Sequence, residues 1–156
     1  MNILVTGGTG FVGKPLVESL LSRDDSVTVL TRSIEKAQTI FPEKTPQFLT
    51  ALSTLKDLNE FDAVINLVGE PIFDKRWTVQ QKEKLRHSRI DLTQQIVQLI
   101  NQSKYPPVLI SGSATGIYGD GGEDVITEDT NPSTQFTAQL CIDWENAAKQ
   151  ANTRVC

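Results

Sequence analysis

The stretch TGGTGFVGKP, Thr6 to Pro15, constrains this chain more than any other. It follows the apolar run NILVT and precedes a helical pattern, so it is a strand-to-helix turn rich in glycine. Two chemistries use such a turn, and both place phosphate oxygens on N–H groups at a helix N-terminus. Gly8, four residues and then Gly13-Lys14 nearly make a P-loop. That motif needs Ser or Thr after the lysine to bind magnesium, and here the position is Pro15. No acidic residue closes the later strand AVINLV as a second metal ligand, and no other metal spacing is present. Gly7, Gly10 and Gly13 fit a dinucleotide-binding turn better: one for the tight turn, one for backbone approach to a pyrophosphate, one for packing helix on strand. The spacing is GxxGxxG, not the commoner GxGxxG.

The second strand, Val27 to Leu30, indicates which dinucleotide. NAD binders carry Asp or Glu at its end for the ribose 2′-hydroxyl. This chain has Thr31 and Arg32, and a guanidinium there matches a 2′-phosphate. The cofactor expected is therefore NADP(H), with Lys36 adding charge. The alternative is a solvated surface arginine.

The remaining pattern alternates strands and helices. Helix one carries Val12, Leu16, Val17, Leu20 and Leu21 on one face, and Arg23-Asp24-Asp25 makes the following turn. Ser33 caps a short helix through Phe41. Gln47–Leu49 is a weak third strand, with a loop or short helix over Leu52–Leu58. Ala63–Val68 is a fourth strand ending at Gly69, and 71–78 is a loop. A helix from about Thr78 to Gln102 is polar in its first half, and its segment KEKLRHSR reads as a solvated or partner-facing surface. Val108–Ser111 is a fifth strand, Gly112 to Ser133 a loop, and Thr134–Ala151 a final helix. Thr153-Arg154-Val155 opens a sixth strand. The fold class expected is α/β: a Rossmann-type doubly wound parallel sheet with helices on both faces, incomplete at the C-terminus, forming one domain over 1–156. The chain is expected to be a fragment that lacks a substrate-binding part.

A net charge of −4 with no basic cluster argues against nucleic acid or an anionic membrane as partner. A small-molecule substrate is expected instead. Cys141 and Cys156 have no metal spacing and read as reduced thiols, and MNILVTGG lacks the regions of a signal peptide. The expected location is cytoplasmic.

Taken together, ILVTGGTGFVGKPL, VTVLTR, DAVINLVGEPI, RWT with SRI, LISGSATGIYGD and CIDWENAA resemble the extended branch of the short-chain dehydrogenase/reductase superfamily. More narrowly, they are similar to its atypical YfcH-like NAD-dependent epimerase/dehydratase family, from Ile3 to Ala148. The resemblance implies an oxidoreductase or epimerase-like activity. It places Gly7, Thr9, Gly10, Phe11, Val12 and Gly13 against the pyrophosphate, and Thr31 and Arg32 at the adenosine end. It also places Asn66, Leu67 and Gly69 along the ribose and nicotinamide side, and Ser111 and Ser113 beside the nicotinamide. The superfamily's Tyr-x-x-x-Lys is missing. With Glu145 aligned, Thr137 and Cys141 occupy those two positions, and Ser113 occupies that of the serine that orients a carbonyl.

Tyr118 is the substitute proton donor the sequence offers, against a packing role in its loop. Cys141 is a reactive thiol or a small apolar helix residue. Glu70 lies near the cleft mouth, and Arg76 and Trp77 lie near its rim. His87 reads as surface, and the acidic loop Asp120–Asp129 as solvated. A non-catalytic NADP(H)-binding sensor or scaffold remains the alternative to an enzyme.

Overall fold

A computed structural model describes residues 1–156. Five strands are present: β1 (Asn2–Thr6), β2 (Ser26–Leu30), β3 (Gln47–Leu49), β4 (Ala63–Asn66) and β5 (Val108–Ser111). The helices are α1 (Gly13–Ser22), α2 (Ile34–Ile40), α3 (Val79–Gln102) and α4 (Phe136–Ala148), with short 3₁₀ turns at Leu52–Thr54 and Thr115–Ile117. All strand pairs are parallel, in the order β3-β2-β1-β4-β5. The chain winds outward from β1 to β3, then returns to lay β4 on the other side of β1. The order reverses between β1 and β4, where open α/β sheets bind ligands.

Strand alternation sorts the core onto two faces. Ile3, Val5, Val27, Val29 and Ile65 pack with Val17, Leu20 and Leu21 of α1 and with Phe41 after α2. Leu4, Val64 and Leu109 pack on the opposite face with Ile96, Val97, Leu99 and Ile100 of α3 and with Ala148 of α4. The shared register sets Leu49, Leu30, Thr6, Asn66 and Ser111 in one row along the carboxyl edge. Every loop that follows a strand therefore starts from a common level.

Several expected boundaries shift. β4 ends at Asn66, not Val68, where its pairing with β1 and β5 stops. α4 runs from Phe136 to Ala148, shorter at both ends than expected. Arg23 to Asp25 does make the turn after α1, with Asp24 at φ 61°, a conformation Asp tolerates better than most residues. Val155 pairs with Leu109 in one isolated parallel bridge rather than a full sixth strand.

The larger correction concerns the polar residues of α3. Gln81, Leu85, Arg89 and Thr93 recur every fourth residue and are all buried. Only part of KEKLRHSR is solvated: His87 is exposed and meets Asp91 at 2.8 Å, whereas Arg89 is 8% exposed. A buried polar stripe lacks the apolar periodicity that marks a core face in sequence.

Candidate functional site

The glycine turn leaves β1 and enters α1 at the switch point. Gly7 has φ +70°, and a Cβ there would lie 2.6 Å from the Leu67 carbonyl oxygen of the segment after β4. Gly13 is more confined, since its Cβ would meet the Gly7 oxygen at 2.1 Å and the Gly8 Cα at 2.7 Å. Gly8, which the GxxGxxG spacing passes over, is pressed against Val29 and Val17, so it too serves helix-on-sheet packing. Gly10 differs from the others: its Cβ would touch only the Gly7 oxygen, at 3.1 Å. Three glycines shape the turn, and the fourth leaves its outer side open.

Gly10 N–H donates to Gly7 O, and Lys14 N–H donates to Gly10 O. The N–H groups of Phe11 and Val12 donate to no backbone acceptor, and no side chain caps α1. Phe11 is 98% exposed and Val12 61%. Thr9, between them and Gly8, is half-buried. Free N–H groups at the positive end of a ten-residue helix favour an anion. This open cradle fits a pyrophosphate. At the end of the neighbouring β2, Thr31 holds the turn through bonds with Ser33. Arg32 is exposed beside it, and its guanidinium has no ion-pair or hydrogen-bond partner in the chain. Ser33 caps α2 through Lys36 N–H, as expected.

The residues after β4 and β5 take different places. Asn66 is fully buried and serves the interior. Its Oδ1 accepts from Thr6 Oγ1 at 2.7 Å, and its Nδ2 donates to Thr93 Oγ1 at 2.8 Å and to Ser111 Oγ at 3.4 Å. Trp144 Nε1 also donates to Thr93 Oγ1, at 3.0 Å. Asn66 thus lies behind the crevice wall, tying β1, β4, β5 and the two inner helices together, while Leu67 backs the glycine turn. Ser111 is drawn into the same network.

Gly69 is exposed after β4, and its lack of a side chain makes room for a neighbour. A Cβ there would lie 2.6 Å from Cζ of Arg89. That guanidinium stacks 5.5 Å from the Trp144 ring and donates to the Glu70 and Leu85 carbonyls. Burial pulls the Arg89 pKa below its usual range, opposed by nearby Cys141 and Glu70. Glu70 pairs with Lys75 at 3.3 Å. Sequence reasoning missed Arg89 because its contacts lie in three separate segments. Trp77 sits at the start of α3 with its ring 5.8 Å from that of Phe136.

Ser113 and Tyr118 come together in a depression of about 560 Å³ that also reaches Glu145. Ser113 Oγ donates to Glu145 Oε1 at 2.6 Å, and Lys149 Nζ donates to Oε2 at 3.2 Å. The Ser113 bond, aided by Lys149 and opposed by burial, holds the Glu145 carboxyl below the usual range. Tyr118 ends the 3₁₀ turn, its N–H on the Thr115 carbonyl. Cys141 is buried and its thiol is pushed up by burial, the opposite of an activated nucleophile. Both cysteines are free. No helix is long and apolar enough to cross a membrane.

Comparison with known proteins bears on the fold and the family. The family model for the NAD-dependent epimerase/dehydratase family matches residues 3–156. A chloroplastic homologue of epimerase family protein SDR39U1 from Arabidopsis thaliana is 39% identical over 99% of this chain and 46% of its own length. Epimerase family protein YfhF of Bacillus subtilis is 36% identical over 93% of this chain and 48% of its own. The crystal structure of human epimerase family protein SDR39U1 (isoform 2) with NADPH superposes with a TM-score of 0.82 at 27% identity. That match covers 99% of this chain and 52% of the human one. The chain spans about half the length of the relatives it matches. A Rossmann-like parallel sheet, an open glycine cradle at its switch point and a family match over almost every residue lead to one conclusion: the chain belongs to the NAD-dependent epimerase/dehydratase family.

Proposed function

We propose that residues 1–156 form an NADP(H)-binding domain of an atypical short-chain oxidoreductase or epimerase-like enzyme acting on a small molecule. The observation that carries this is the pairing of the open cradle at Phe11 and Val12 with the unpaired Arg32 at the end of the adjacent strand. The cradle suits a pyrophosphate, and Arg32 suits a further phosphate on the adenosine ribose. The human relative solved with NADPH supports that choice.

NADP(H), when bound, supplies or accepts hydride. The chain's own part is to hold the pyrophosphate on the Phe11 and Val12 N–H groups and to neutralise the 2′-phosphate with Arg32. It also presents Ser113 and Tyr118 to a substrate at the far end of the carboxyl edge. Arg32→Ala in the full-length protein should weaken NADPH binding at least tenfold, as expected for losing a charge-assisted bond, and leave NADH almost unchanged. Calorimetric titration of both cofactors measures this, and equal losses would sink the NADP assignment.

A second proposal is a non-catalytic NADP(H)-binding module. Thr137 and the buried Cys141 at the Tyr and Lys positions favour it. Hydride exchange with any aldehyde, ketone or nucleotide sugar, lost in Ser113→Ala, would exclude it.

A further inference from the structure

The depression beside Ser113 has a one-sided polar lining. Ser113, Thr115, Tyr118 and Thr130 contribute hydroxyls, Glu128 and Glu145 contribute carboxylates, and no Lys or Arg lines it. A serine hydroxyl has one proton and two lone pairs, and an ionised carboxylate only accepts. The 2.6 Å contact therefore commits the Ser113 proton to Glu145. Lys149 keeps that carboxylate oriented by holding its other oxygen. What Ser113 turns toward the cavity is lone pairs.

We propose that Ser113 is an acceptor in this pocket, fixed in that role by Glu145, so that the site selects a neutral ligand group that donates a hydrogen bond, an alcohol hydroxyl, over a carbonyl or carboxylate at the same position. This reverses the carbonyl-orienting role expected from the sequence. A carbonyl oxygen placed against the Ser113 oxygen would set acceptor against acceptor. A carboxylate would in addition meet the charges of Glu128 and Glu145. Ser113 is a binding residue here, and Glu145 is a positioning residue acting through it. The inference rests on this pocket being the substrate end of the proposed NADP(H) site.

The test uses full-length protein, with and without NADPH, and a matched probe pair, cyclohexanol and cyclohexanone, followed by saturation-transfer NMR. The wild type should bind the alcohol about tenfold more tightly, the scale of one unmade hydrogen bond. In Glu145→Gln, Lys149 still donates and so keeps the amide oxygen on its own side. The amide N–H₂ then faces Ser113, frees its proton, and should erase or reverse the preference. Ser113→Ala should lose the preference altogether. Equal binding of the two probes by the wild type, binding of neither, or an unchanged preference in Glu145→Gln would overturn the proposal.

A second measurement needs no ligand. The ¹³C titration of the Glu145 carboxyl should move up in Ser113→Ala and stay low in Ser113→Thr. An unmoved titration in Ser113→Ala would remove the positioning role. Failure of NADPH to bind, with the alcohol preference intact, would instead count against the cofactor assignment alone.

Discussion

At the residue scale, glycines that look equivalent in TGGTGFVGKP perform different tasks. Gly13 has backbone on its missing side chain's position, so neither neighbour can swing away. Gly13→Ala should destabilise the fold by about 1–3 kcal/mol or more, as other forced overpacking does, with urea denaturation as the readout. Gly10 faces outward, with one contact that must give by a few tenths of an ångström. Gly10→Ala should keep its melting temperature within a few degrees of wild type and still bind NADPH far more weakly, because its methyl group would occupy the path of the pyrophosphate. If both variants unfold alike, the division between shaping and binding glycines is wrong. The sequence marked this turn as a dinucleotide-binding one. It did not show that Gly8 packs against Val29, which needs the β1–β2 register, or that Gly69 is small to make room for Arg89.

At the element scale, α3 joins the site to the core. Its C-terminal half carries Ile96, Val97, Leu99 and Ile100, and that apolar stripe was legible. The helix also buries Arg89 and Thr93, which were not, because Thr93 meets Asn66 of β4 and Trp144 of α4, and Arg89 packs on Gly69 and Trp144. No local period encodes a polar group whose hydrogen-bond partners arrive from other elements. Thr93 Oγ1 accepts from both Asn66 Nδ2 and Trp144 Nε1. Thr93→Val keeps the shape and removes the acceptor. It should cost about 2–4 kcal/mol in denaturant unfolding, the sum of two weakened buried donors, whereas Thr93→Ser should cost much less. A loss below about 0.5 kcal/mol in Thr93→Val would mean that the donors find other partners.

At the scale of the whole molecule, a parallel sheet with helices on both faces was readable from alternating strands and helices, because such a sheet requires crossovers and buries both faces, whereas the strand order β3-β2-β1-β4-β5 came from the structure. The outer edge was readable only in part. β5 is closed by Leu109 N–H to Arg154 O at 3.0 Å, Cys156 N–H to Leu109 O at 2.9 Å and Ser111 N–H to Cys156 O at 2.8 Å. Removing residues 153–156 should cost about 1–4 kcal/mol from these bonds and raise self-association through the bared edge. Thermal melts and size-exclusion chromatography read the two effects, and an unchanged melt would show that the bridge is incidental. The row of residues along the carboxyl edge also acts as a ruler. Arg32 follows β2 and Ser113 follows β5, and three interstrand gaps separate those strands, about 14 Å. A fragment the size of a phosphate or a single sugar engages one end only. A ligand long enough to reach both is a tether, and each bound half raises the local concentration of the other.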